Sequence, residues 1–225
     1  MNEKVFALKT TVPILLGYLA IGFAFGLIVQ NAGYGWYIVV LSSILVFAGA
    51  AQYALAGMFV AGAGILDIAI AVFLINSRHM VYGLSLIDKF RSTKPYTPYL
   101  IFGLTDETYG VLTTVKVPEN LSKKKTYFYI TLFDQLYWIL GGVIGFFVGV
   151  AVPFDFTGVD FALTALFVVL LIEQWRNCAE KLPFALAGIC AVVAVLLVGP
   201  KHMLIVSFVA SIVMLILFRK RVQPC

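Results

Sequence analysis

Charge is what this sequence has least of. Asp, Glu, Lys and Arg make up 12% of its 225 residues, against 62% hydrophobic ones, and between Lys9 and Asp67 there is no charged residue at all. Soluble domains carry about 25% charged residues, so a soluble globular fold is excluded, and intrinsic disorder with it. No soluble core hides so long an apolar run, whereas two or more bilayer crossings of about 20 residues each do. Histidine occurs twice, and the three cysteines, Cys178, Cys190 and Cys225, form no CxxC pair. Neither a metal site nor a disulfide framework is indicated, and the cysteines read as small buried hydrophobes. There is no Gly-rich phosphate loop, so the chain does not hydrolyse ATP. No cofactor motif is present. Linkers, low-complexity tracts and a soluble domain are also missing, and the apolar runs are too continuous for the alternating pattern of a membrane barrel. What remains is an all-α polytopic integral membrane protein, a single transmembrane domain over 1–225.

Eight hydrophobic segments stand out, at 10–30, 36–61, 65–87, 98–115, 126–152, 161–172, 182–198 and 202–218. Six to eight of them are expected to cross, with broken or re-entrant helices among them. Lys4 and Lys9 ahead of the first run imitate a signal peptide, but no clear small-residue cleavage site follows, and the run reads as a retained first helix. Tyr34, Trp36 and Tyr37, then Tyr96 and Tyr99, then Tyr127 and Tyr129 mark the membrane interfaces. Gly22 and Gly26 are spaced GxxxG, as are Gly141, Gly145 and Gly149, and point to close helix packing within the chain. The net charge of +5 falls mainly in short loops, where it orients the protein rather than binding nucleic acid. Asp155 and Asp160 form an acidic loop between basic flanks, and Arg219, Lys220 and Arg221 end the chain, which puts that loop outside and the C-terminus in the cytoplasm. The first half fits three arrangements. Eight crossings put Lys89, Arg91 and Lys94 outside; a re-entrant fourth segment puts Lys4 and Lys9 outside; failure of both the second and fourth segments to cross leaves only Lys201 there. The last satisfies the charges best, and it needs irregular backbone at membrane depth covered by protein or a wet cavity.

Three polar islands interrupt the apolar runs. In the second segment Ser42 and Ser43 precede Phe47-Ala48-Gly49-Ala50-Ala51-Gln52, a small-residue run suited to close approach or a helix break. In the third, Asn76, Arg78, His79 and Tyr82 spread over about half a helix circumference. An unpaired Arg at that depth costs about 2.5 kcal/mol or more, so Arg78 needs a partner. In the fourth, Gly103, Asp106, Glu107 and Gly110 are spaced i, i+3, i+4, i+7, which places both acids on one helix face. Arg78 is expected to pair with Asp106 or Glu107, leaving the other acid to carry a proton. Ser43, Phe47, Gly49, Gln52, Asn76, His79 and Tyr82 form the candidate substrate-binding set. Asp134, two turns into the fifth segment, reads as interfacial, as does His202; Asp67 and Glu173 sit at segment ends. The last two segments carry no charge within them and read as scaffold or as a surface for a partner subunit.

In this order and spacing the islands resemble the AzlC family, the large subunits of branched-chain amino acid exporters. The matching residues are Ser43 with Phe47 to Gln52, then Asn76, Arg78, His79, Tyr82 and Gly83, then Thr105, Asp106, Glu107, Tyr109 and Gly110. Tyr137-Trp138 with Gly141-Gly142, and Asp160-Phe161-Ala162 leading to Phe167, continue the likeness over nearly the whole chain. The resemblance implies a two-component exporter of valine, leucine or isoleucine, and in some relatives methionine, in the plasma membrane of a prokaryote, working with a small AzlD-type membrane subunit. Acids with an Arg and a His in membrane depth fit proton-coupled secondary transport. Two other classes compete. An intramembrane enzyme would use His79 and the two acids, but no HExxH or GxSxG motif accompanies them. A channel or assembly subunit would lack proton coupling.

Overall fold

A computed structural model describes residues 2–60, 62–152 and 180–218, with isolated residues between 161 and 178. The expectations for most of segment 161–172, for Asp155, Asp160 and Glu173, and for Arg219, Lys220 and Arg221 lie outside the described residues, as does the side chain of His202. The described residues are helical, with no strand among them.

In chain order the helices are α1 (Glu3–Asn31), α2 (Trp36–Leu45), α3 (Gly49–Val60), α4 (Ile65–Ser85), α5 (Ile87–Arg91), α6 (Thr97–Phe102), α7 (Asp106–Thr114), α8 (Lys123–Ala151) and α9 (Leu182–Leu217). Glu3–Asn31, Ile65–Ser85, Lys123–Ala151 and Leu182–Gly199 are long and apolar enough to cross a bilayer; Trp36–Leu45 and Val206–Leu217 are apolar but shorter. The chain divides into two compact units, Met1–Ala63 with Ile75–Ala162, and Gly64–Leu74 with Leu163–Cys225.

In the first unit α1 and α8 form the central pair. Asn2 caps α1, its Oδ1 accepting the Val5 amide at 3.0 Å, which satisfies one of the helix's orphan donors. The glycine spacing then sets the packing. A methyl group added at Gly26 would overlap the Gly142 carbonyl, one at Gly145 the Phe23 carbonyl, and one at Gly141 would lie 2.8 Å from the Tyr18 carbonyl. The two backbones therefore touch, as small-residue seams allow in lipid. α2 packs beside the pair on α8.

Two of the sequence segments are each divided into two short helices. Segment 36–61 breaks between α2 and α3. The Val46 and Phe47 amides both donate to the Ser42 carbonyl, at 2.8 and 3.2 Å, and Phe47 takes φ 41°. That left-handed conformation normally falls to glycine at a helix end and costs a bulky residue about 1 kcal/mol or more. Burial of the ring holds it there: Phe47 is 3% exposed, with its ring 6.4 Å from Phe102. Segment 98–115 breaks between α6 and α7, at Gly103, Leu104 and Thr105. Thr105 is extended and caps α7, its Oγ1 accepting the Thr108 amide at 3.2 Å. Phe102 ends α6 and Phe47 sits in the other break, so the two interruptions lie against each other.

In the second unit α9 is helical from Leu182 to Leu217 except at Gly199, where φ 74° and ψ 173° mark a kink. Segments 182–198 and 202–218 are thus two helical stretches joined at Gly199. Cys178 is 2% exposed, as a small buried residue should be. Cys190 is free. Tyr127 is 6% exposed and packs in the core with Ile130, Leu100 and Leu112.

Candidate functional site

The break ahead of α7 decides where the two adjacent acids go. Gly103 follows α6 as its C-cap and Gly110 lies in α7, so the expected single face of Gly103, Asp106, Glu107 and Gly110 does not exist. Asp106 and Glu107 instead occupy the first turn of α7, where free amides and the helix dipole offset their charge. From there they diverge.

Asp106 turns toward α4. Its Oδ2 lies 2.9 Å from Arg78 Nη2, the two side chains 23% and 30% exposed, and its Oδ1 accepts from the Tyr82 hydroxyl at 2.6 Å. The Tyr82 ring stacks on Tyr109 at 4.3 Å and meets His79 at 5.8 Å. Arg78 Nε and Asn76 Oδ1 are buried with no hydrogen-bond partner.

Glu107 turns toward α1. Its Oε2 accepts from the Tyr18 hydroxyl at 2.8 Å, and the same hydroxyl lies 2.5 Å from Thr105 Oγ1. Thr105 Oγ1 bonds Thr108 Oγ1 at 3.0 Å, and Thr108 Oγ1 donates to Asp134 Oδ2 at 2.8 Å. Asp134 is 0% exposed, and its Oδ1 has no partner. The interfacial reading of Asp134 is therefore wrong. Counting turns from the end of the apolar run put it near the surface, but α8 begins at Lys123, and Asp134 lies on the stripe that continues through Trp138, Gly142, Gly145 and Gly149, all buried.

The α2–α3 break supplies the third part. Gln52, 1% exposed, donates through Nε2 to the hydroxyls of Ser42 and Ser43, at 3.0 and 3.2 Å. Gln135 Nε2 donates to the Ser43 carbonyl at 3.1 Å, and its Oε1 accepts from the Tyr99 hydroxyl at 2.7 Å. Gly49 opens α3 directly beneath Trp138; a methyl there would sit 3.0 Å from the indole Cη2. Trp138 is 3% exposed and is walled by Tyr18, Phe25 and Tyr53 at ring separations of 5.6, 5.9 and 6.5 Å. Its Nε1 and Gln52 Oε1 are buried without partners. Phe47 and Ala48, ahead of α3, carry no side-chain acceptor, so the opening amides of that helix have no cap of the kind Thr105 gives α7.

The expected site residues thus fall into two groups that meet at the head of α7. Arg78, His79, Tyr82 and Asp106 form one. Ser43, Gly49 and Gln52 belong to the other, which reaches α7 through Gln135, its neighbour Asp134, and Thr108. Sequence reading missed Tyr18, Thr108, Asp134, Gln135 and Trp138. The i, i+4 stripe Tyr18-Gly22-Gly26 carries the missing sign, since a hydroxyl on the face of a glycine seam points inward. Among the described residues no group of His, Cys, Asp and Glu is arranged to hold a metal ion.

The model of the AzlC family, described as AzlC protein, matches residues 13–152. The branched-chain amino acid transport protein AzlC of Bacillus subtilis is 34% identical over 218 residues, covering 96% of this chain and 85% of that protein. An uncharacterized membrane protein of Helicobacter pylori is 36% identical over 217 residues, 96% of this chain and 95% of that one. The inner membrane protein YgaZ of Escherichia coli is 31% identical over 193 residues, 80% of this chain and 79% of its own length. No solved structure matches the chain.

Proposed function

The chain belongs to the AzlC family, and we propose that it is the large subunit of a secondary transporter that exports branched-chain amino acids. Valine, leucine and isoleucine are the substrates, with methionine a further candidate. The protein works with a small AzlD-type subunit in the plasma membrane of a prokaryote and couples efflux to protons. The observation that carries this reading is the buried polar cluster where two broken helices meet. Midplane sites built from interrupted helices hold charged substrates in secondary transporters.

The amino acid's carboxylate would lie against the uncapped amides of α3 and the Trp138 indole N–H, as anions do at helix N-termini. Its ammonium would take Gln52 Oε1 and the free Oδ1 of Asp134. Phe47 and Trp138 would cover the branched side chain. Glu107, lacking a cation, would carry the proton, while Arg78 and Asp106 hold each other. Purified protein in liposomes should move valine or leucine in response to an imposed pH gradient when the small subunit is present, and little without it. Full pH-driven flux from the single chain would remove the partner from this reading, and movement indifferent to the gradient would remove the coupling.

In this arrangement α2–α3 and α6–α7 dip into the membrane and return, which keeps Lys89 and Lys123 on one side and the C-terminus in the cytoplasm. Cysteines replacing Lys89 and Lys123 should then react with an impermeant thiol reagent from the same face. Reaction from opposite faces would show that α6–α7 crosses.

A further inference from the structure

A count of protons in the chain Asp134–Thr108–Thr105–Tyr18–Glu107 leads further. Four oxygen–oxygen contacts link these five residues, at 2.8, 3.0, 2.5 and 2.8 Å. A hydroxyl supplies one proton, so Thr108, Thr105 and Tyr18 supply three for four contacts. With both acids ionised, Thr108 donates to Asp134, Thr105 to Thr108 and Tyr18 to Glu107. Nothing is then left for the shortest contact, between Tyr18 and Thr105. One more proton completes the chain in either of two ways. On Glu107 it gives Glu107→Tyr18→Thr105→Thr108→Asp134; on Asp134 it gives the same chain with every bond reversed. In both, Thr105 Oγ1 still has a lone pair for the Thr108 amide it caps.

We propose that Glu107 and Asp134 share a single proton, and that Tyr18, Thr105 and Thr108 pass it between them. The surroundings favour one shared proton over two free anions. Among the described residues the ion pairs are Arg78 with Asp106 and Arg91 with Asp88, so neither acid has a cation. Asp134 is faced by Thr108 and Glu107 from α7, Tyr18 from α1 and Tyr99 from α6; Glu107 is faced by Tyr18, by Thr105 and neighbouring Asp106, and by the free amides that open α7. The side chains among these are acids and hydroxyls, and none is a cation. Transfer balances internally: the Glu107 O–H bond breaks as Tyr18 takes that proton, each hydroxyl passes its own proton on, and an O–H bond forms on Asp134. No other reactant is needed. Asp134 keeps Oδ1 outside the chain. The use of this relay in transport rests on the proton-coupled reading above: an ammonium at Oδ1 favours ionised Asp134 and drives the proton to Glu107, which ties substrate occupancy to proton position.

The test is infrared spectroscopy of the purified protein in lipid near neutral pH, with any subunit it requires. An amide in place of either acid supplies the missing donor permanently, so the remaining acid ionises. Asp134→Asn and Glu107→Gln should each abolish the whole protonated-carboxyl band. Thr108→Val should cut the chain and bring the two widely separated titration steps of the coupled pair closer together, toward those of independent acids, and Thr108→Ser should restore the separation. A band at full strength in either amide variant overturns the proposal, as does a Thr108→Val titration identical to wild type. In liposomes each amide variant should lose about a hundredfold of pH-driven flux, the scale of a positioned proton-transfer group. If the infrared results hold while wild-type flux ignores the pH gradient, the proton sharing stands and the coupling reading falls.

Discussion

Asp106→Asn will damage the folded protein more than Arg78→Gln, and the two together will recover much of the loss. The asymmetry follows from what each change leaves behind. Removing the Asp106 charge strands a guanidinium in α4, whose Nε is already buried without a partner. Removing Arg78 strands a carboxylate that still accepts from Tyr82 at 2.6 Å and still sits in the first turn of α7, where the helix dipole favours a negative charge by about 0.3–1 kcal/mol. A fully buried pair broken on one side costs about 3–5 kcal/mol. Here the side chains keep 30% and 23% of their exposure, so the expected cost of Asp106→Asn is about 2.5 kcal/mol, the translocon-scale value for an unpaired Arg in a membrane helix. Glu107→Gln strands no cation and should leave stability close to wild type. Melting temperature and the monodisperse fraction in detergent are the measurements. Equal losses for Asp106→Asn and Glu107→Gln would show that the ion pair contributes nothing particular to folding.

The same two acids show how far the sequence could be read. Their presence in membrane depth, and the need of Arg78 for one of them, followed from the cost of a charge in lipid. Which one it takes did not. Thr105-Asp106-Glu107 reads equally as the acidic face of a continuous helix or as a cap followed by an acidic first turn. Only the break at Gly103 to Thr105 decides between them, and with it that Glu107 faces α1. Phe47 shows a second limit. Small residues after it hinted at an interruption, but a left-handed phenylalanine is stabilised by a ring 55 positions along the chain, which no local pattern contains. Asp134 was misread for a different reason. Its depth was counted along one helix, whereas its burial comes from the helices packed around it. The all-helical membrane architecture and the glycine seam were legible because both depend on composition and on short periodic spacing, which lipid enforces residue by residue.

That seam carries the largest expected effect of any single methyl group. Gly26→Ala and Gly145→Ala should each largely prevent recovery of folded protein, whereas Gly17→Ala should be neutral. All three are glycines in membrane helices and the chemical change is the same. What differs is the neighbour. The added carbon at Gly26 would overlap the Gly142 carbonyl and that at Gly145 the Phe23 carbonyl, while at Gly17 nothing lies within 4 Å. A clash with a side chain is relieved by changing rotamer, but a helical carbonyl has nowhere to turn, so α1 and α8 must separate along their length. Overpacking costs about 1–3 kcal/mol where side chains can adjust; here the cost should lie at or above the top of that range. Separation also reaches the polar cluster. Tyr18 holds Glu107 and Thr105 from α1, and Thr11 meets the Tyr137 hydroxyl of α8 at 3.1 Å. Any Gly26→Ala protein that survives should therefore show a weakened proton relay as well as a lower melting temperature. Wild-type yield and melting for Gly145→Ala would mean that the two helices do not meet backbone to backbone, and that Tyr18 is held against α7 by something other than the glycine seam.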